Sequence, residues 1–152
     1  MIKLLLDVDT GIDDALALFY LAHAQKKGEI EILGSTTVGG NVEVGQTTLN
    51  TLKIWEMLEL DIPVAAGAKQ PLMVPLNPAP YVHGDDGLGN TFLPAPKKGP
   101  SEESAVEMIL RLSHEYAGEL TLLTTAPLTN IAVALLHDPD LAKRICKVVI
   151  MG

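Results

Sequence analysis

Five short apolar runs, each separated from the next by enough chain to cross a sheet, set the strongest constraint on how this sequence folds. IKLLL (2–6), EILGSTTV (31–38), DIPVAAG (61–67), ELTLLTT (119–125) and KVVIMG (147–152) read as strands. Helix-like segments lie between them at about 13–25, 43–58, 101–116 and 128–138. Parallel strands need crossovers of this length, and a parallel sheet buried on both faces has strands that are continuous apolar runs. The expectation is therefore α/β: an open, mainly parallel sheet with helices on both faces. Helix 13–25 is apolar nearly all round, which predicts deep burial. Ser101, with Glu102 and Glu103 behind it, is the expected cap of helix 101–116. The proline-rich stretch 71–100 reads as loop, and nothing marks an interdomain linker, so residues 1–152 are expected to form a single α/β domain.

Composition excludes several functions. The formal net charge is −8, from 19 acidic and 11 basic residues, and no basic patch is present to follow a phosphate backbone, so nucleic acid is not an expected partner. No run approaches the ~20 apolar residues of a membrane span, and MIKLLLD is too short for a signal peptide, so a cytoplasmic protein is expected. The single cysteine, Cys146, rules out internal disulfides and thiolate metal cages. Its setting, RICKVVI, predicts a buried, inert thiol.

In an open parallel sheet, ligands bind outside the carboxyl ends of the strands. Asp7, Asp9, Asp13 and Asp14 follow the first strand, Asn41 of VGGN the second, HGDDGLGN (83–90) the third, and Thr124 and Thr125 the fourth. Four separate segments thus deliver polar residues to one edge. In DVDTGIDD (7–14), four carboxylates crowd into eight positions. The dipole of the following helix offsets only part of their repulsion, about 0.3–1 kcal/mol per contact. A cation would offset the rest. All the available ligands are oxygens, which select Ca²⁺ or Mg²⁺, and calcium better tolerates a site assembled from several loops.

Two other motifs bear comparison. An EF-hand loop would need an acid at Gly11, a glycine at Ile12 and a glutamate at Leu18, and has none of them. LLLDVDT also resembles the first motif of haloacid-dehalogenase-like phosphatases, Mg²⁺-dependent enzymes that would use Asp7 as nucleophile and Asp9 as acid/base. That alternative leaves Asp13, Asp14, VGGN and HGDDG unexplained.

With DVDTGIDDALAL, TTVGGN, HGDDGLGN, TTAPLTNIA and VVIMG in order along the whole chain, the sequence resembles the inosine-uridine nucleoside hydrolase family. The resemblance implies a Rossmann-like sheet and calcium-dependent hydrolysis of the N-glycosidic bond of purine or pyrimidine ribonucleosides to ribose and free base, by a nucleoside salvage enzyme that is commonly a homo-oligomer. It further implies that Asp9, Asp14 and the backbone carbonyl of Thr125 bind Ca²⁺, with Asp9 also the general base. Asp13 would hydrogen-bond a ribose hydroxyl, and Asn41 would lie beside the ribose. Asp7 would support the site from behind, and His83 would stand near the nucleobase to assist the leaving group.

Blander readings stand beside these. His83 could be a surface residue of a proline-rich loop, and His23, His114 and His137 read as ordinary surface or boundary positions. Asn130 reads as closing a strand-to-helix turn, and Trp55, at helical spacing with Leu52 and Leu58, as core. VVIMG falls where family members are half complete, before the later ribose-binding Asn and Glu residues and the aspartate and histidine that finish the calcium shell. The expectation is an N-terminal half, either catalytically weak by itself or a non-catalytic assembly partner with an exposed apolar surface.

Overall fold

A computed structural model describes residues 1–151. Strands β1 (Ile2–Val8), β2 (Ile30–Thr37), β3 (Val64–Ala66), β4 (Leu120–Thr124) and β5 (Lys147–Ile150) form one sheet in the order β3-β2-β1-β4-β5. All four pairings are parallel. The crossovers carry helices α1 (Ile12–Lys26), α2 (Val44–Met57), α3 (Pro80–His83), α4 (Ala105–Glu115), α5 (Thr129–His137) and α6 (Leu141–Arg144).

The alternation along β1 divides the core. Leu4, Leu6 and Val8 pack with Leu18 and Ala22 of α1 and with Leu52, Ile54 and Trp55 of α2. Leu5, facing the other way, packs with Met108, Ile109 and Leu112 of α4 and with Ala134 of α5. Asp7 shares the parity of Leu5 and so points toward α5, where it meets Asn130. The two clusters are the two faces of a buried parallel sheet. Trp55 is core, as expected, and its Nε1 donates to Ser35 Oγ at 3.0 Å.

Several sequence expectations need correction. Ser104, not Ser101, caps α4: its hydroxyl accepts from the Glu107 N–H at 3.3 Å while Glu107 Oε2 accepts from the Ser104 N–H at 2.7 Å, a reciprocal capping box. The stretch 71–100 is mostly irregular but contains α3. Helix α1 is buried on one side only: Asp14, Ala15, Leu18 and Ala22 face inward, while Leu16 is 65% and Tyr20 73% exposed. Its inward stripe consists largely of small alanines, so the apolar outer face carried no contrast from which to read an orientation. Cys146 is exposed, because it precedes an edge strand whose residues are all exposed. The expected last strand ends at Ile150, and Gly152 lies outside the described residues. No described helix is long and apolar enough to cross a membrane.

Candidate active site

Strand β1 ends at Val8, so Asp9 emerges at the carboxyl edge of the sheet. Its Oδ2 accepts the Asn41 N–H at 2.8 Å, and Asn41 Nδ2 donates back to the Asp9 carbonyl at 3.1 Å. This pair ties the turn after β2 to the loop after β1. The fit leaves no room, since a Cβ on Gly40 would overlap the Asp9 carboxylate. Asp14, in the first turn of α1, accepts from Thr125 Oγ1 at 2.6 Å, and the Thr125 N–H donates to the Asp7 carbonyl at 3.1 Å. The loop after β4 is thereby joined to the same cluster.

The segment after β3 arrives through His83 at the end of α3. His83 is buried, its Nδ1 accepts the Ile12 N–H at 3.2 Å, and Asp13 Oδ1 lies 3.9 Å away. A Cβ on Gly11 would meet His83 Nδ1 at 2.5 Å and Asn41 Nδ2 at 2.8 Å, so three segments cross at a glycine. All four segments converge, and the reading of His83 as a surface residue does not hold. His23, His114 and His137 lie on exposed helix faces. Asp13 is exposed beside the buried pair.

The electrostatics follow from burial. Desolvation pushes the Asp14 carboxyl up to about 7, against the Thr125 hydrogen bond and with the negative charges of Asp9 and Asp13 adding to the rise. Asp9 is raised by the same burial, opposed by the Asn41 N–H and by contact with the Asp14 carboxyl. Asp7 is fully buried and raised to about 6 by desolvation, although Thr36 Oγ1 (2.6 Å) and Asn130 Nδ2 (2.8 Å) both donate to its Oδ1. Among the described residues, no Lys or Arg pairs with Asp7, Asp9 or Asp14.

Asp14 Oδ2 is buried without a hydrogen-bond partner, next to a second carboxylate. An all-oxygen donor set around an orphaned acceptor fits a hard divalent cation. Asp9 and Asp14 are the carboxylates that could hold one; among the described residues, no three His, Cys, Asp or Glu side chains converge as a metal cluster.

Sequence reasoning missed three contributors. The α2 residues Thr47, Thr48, Asn50 and Thr51 are buried. Thr51 and Thr10 hydroxyls meet at 2.7 Å, and Asn50 Nδ2 donates to the Thr10 carbonyl (3.2 Å) and the Asp86 carbonyl (2.9 Å). The signal was present as polar residues clustered inside an otherwise apolar helical segment. Asp86 organises the loop behind His83: Oδ1 accepts from the Leu88 and Asn90 N–H groups and Oδ2 from Phe92, each at 2.8 Å. Burial alone would raise its carboxyl, but these N–H groups outweigh that and hold it below the ordinary value. Asn130 does more than close a turn: its amide bonds Asp7, the Thr37 carbonyl and the Ala68 N–H.

A parallel sheet with acidic residues gathered at its carboxyl edge defines an α/β protein of the open-sheet, ligand-binding kind. Residues 4–152 match the family described as inosine-uridine preferring nucleoside hydrolase, and the chain belongs to that family. It is 43% identical over 153 residues to uridine nucleosidase 1 of Arabidopsis thaliana, covering 99% of this chain and 44% of that protein. The fold superposes on a plant nucleoside hydrolase, PpNRh1, with a TM-score of 0.92 and 37% identity, covering 99% of this chain and 47% of the other. A purine-preferring ribonucleoside hydrolase from Gardnerella vaginalis superposes with a TM-score of 0.91 and 34% identity, covering 99% and 48%. The fold is the α/β fold of nucleoside hydrolases. The chain spans about half the length of the relatives it matches, 44% of the Arabidopsis protein.

Proposed function

We propose that the protein hydrolyses the N-glycosidic bond of ribonucleosides, releasing ribose and free base, at a site where Asp9, Asp14 and the Thr125 carbonyl hold Ca²⁺. The observation that carries this reading is the pair of buried carboxylates, Asp9 and Asp14, brought from two elements into contact with no basic side chain beside them. Calcium, when bound, orients and acidifies a water and engages sugar hydroxyls. Asp9, its carboxyl raised by burial, serves as the base that takes the water's proton. The clustered negative charge favours the oxocarbenium-like state that forms as the C–N bond breaks. Exposed Asp13 receives a ribose hydroxyl, and Asn41, fixed to Asp9 through both its backbone and its amide, stands beside the ribose. His83 faces the leaving base, and Asp7 braces the strand that delivers Asp9.

The family assignment supports hydrolysis of ribonucleosides and lends nothing to a phosphatase using Asp7 and Asp9. Relatives of this chain are named for uridine and for purines. We also propose a cytoplasmic homo-oligomer in nucleoside salvage that binds neither nucleic acid nor membranes. Two carboxylates and a carbonyl underfill the 6–8 oxygens calcium takes, so the 152-residue chain by itself turns over slowly.

Free base released from uridine and inosine, followed by chromatography, tests the reading. Slow release that chelator abolishes and that Asp9→Ala abolishes is expected. Magnesium-dependent release of phosphate from a phosphomonoester, with no base released from either nucleoside, would overturn it.

A further inference from the structure

We infer that Asn130 is a positioning residue whose carboxamide holds the loops of this site at their working spacing. The inference rests on the proposal that Asp9 and Asp14 hold a divalent cation. Asn130 is fully buried in the first turn of α5. Its Nδ2 donates to Asp7 Oδ1 in β1 at 2.8 Å and to the carbonyl of Thr37, the last residue of β2, at 2.9 Å. Its Oδ1 accepts the N–H of Ala68, two residues beyond β3, at 2.9 Å. One amide therefore bonds three neighbouring strand ends at the edge where the site is built. A Cβ on Gly67 would lie 2.5 Å from Asn130 Nδ2, so the backbone closes tightly on the amide.

Each bonded residue is a short lever on the site. Asp7 precedes Asp9 by two residues, and Thr37 begins the turn that carries Asn41 to the Asp9 carboxylate. Asn130 itself follows Thr125 in the loop that caps Asp14, and the Thr125 N–H returns to the Asp7 carbonyl. Both N–H groups and the carbonyl of the amide are engaged within the protein, so Asn130 acts on the site only through these neighbours. Aspartate has the same size but would set a second oxygen against Asp7 Oδ1 and the Thr37 carbonyl, where two N–H donations now hold the strand ends together.

The test compares wild type, Asn130→Asp, and the exchanged pair Asp7→Asn with Asn130→Asp. In the exchanged pair, an N–H at position 7 donates to the carboxylate at position 130, and the Thr36 hydroxyl, which shares Asp7 Oδ1 with Asn130 in the wild type, keeps its bond to the Leu6 carbonyl; the Thr37 carbonyl still lacks its donor, so recovery is partial. Calcium affinity is measured by calorimetry, and hydrogen exchange is measured in chelator. Asn130→Asp is expected to weaken calcium by about tenfold or more, in the range seen when groups supporting metal ligands are removed. It should speed exchange in residues 38–41 and 124–128 while leaving α4 unchanged. The exchanged pair should recover at least about threefold of the lost affinity, a coupling that a general loss of stability would not produce. Wild-type affinity in Asn130→Asp, exchange that rises equally in α4, or an exchanged pair no better than the single variant would each overturn the inference. If the wild type takes up no calcium, the cation reading fails, and exchange in 38–41 and 124–128 alone decides the role of Asn130: faster there supports it, unchanged refutes it.

Discussion

Replacing Asp14 with Asn should stabilise the calcium-free chain. Burial lifts this carboxyl from 3.8 to about 7 in the folded state. A raised carboxyl contributes stability that is complete below the unfolded value and is lost as pH climbs through the folded value, here from about 4 to about 7. At about 1.4 kcal/mol per pH unit, ionising Asp14 at neutral pH costs the folded chain about 4 kcal/mol. In Asp14→Asn the oxygen that accepts from Thr125 Oγ1 at 2.6 Å is kept, and an N–H donor replaces the unpartnered oxygen beside Asp9. With about 3 kcal/mol recovered as the loops relax, and about 2–4 °C per kcal/mol for a chain of this length, Tm should rise by about 6–12 °C at pH 7.5 in EDTA. At pH 4, near the unfolded value, where little of this stability has been lost, the two melting curves should nearly coincide. Circular dichroism melts at both pH values, with and without calcium, give the answer, and calcium should raise the wild-type Tm far more than that of the variant. An equal loss of Tm at both pH values would refute the idea that burial makes the ionised Asp14 carboxylate costly when no cation is beside it.

Other perturbations follow from the same geometry. Gly40→Ala places a methyl group where the Asp9 carboxylate lies and should weaken calcium by about tenfold in calorimetry, with wild-type affinity contradicting the close approach. Trp55→Ala empties the core between α2 and the sheet and leaves Ser35 without its donor; urea denaturation should show a loss of about 3–5 kcal/mol. Asp86→Ala orphans the N–H groups of Leu88, Asn90 and Phe92, at about 1–3 kcal/mol for each that stays buried. Hydrogen exchange should then accelerate across residues 84–92, and unchanged protection there would show that the carboxylate does not organise the loop.

The strand and helix alternation was legible in the sequence because parallel strands buried on both faces must be largely apolar, as most of β1 and β4 and the first half of β2 are. The edge on which DVDTGIDD, VGGN, HGDDG and TTAP meet was legible for the same reason: βα connections place the residues after each strand on one side. What could not be read is where each side chain goes once there. Asp7 and Asp9 look alike in the sequence and share a strand face by parity, yet β1 ends at Val8, so Asp7 stays in the strand against Asn130 while Asp9, in the turn beyond, meets Asn41. The reach of Asn130 is three-dimensional, joining residues 123, 93 and 62 positions apart, and no local rule reports it. In α1 the periodicity was erased because apolar residues occupy the exposed face as well as the buried one. In α4 two serines three residues apart both precede the helix, and only the reciprocal bonds with Glu107 select Ser104.

Calorimetric titration of calcium into the chain at pH 7.5, alongside Asp9→Asn, tests the cation site most directly. Uptake of one ion per chain in the wild type and none in Asp9→Asn is the predicted result. No heat at millimolar calcium, or identical uptake by the two proteins, would contradict a shared ion between Asp9 and Asp14.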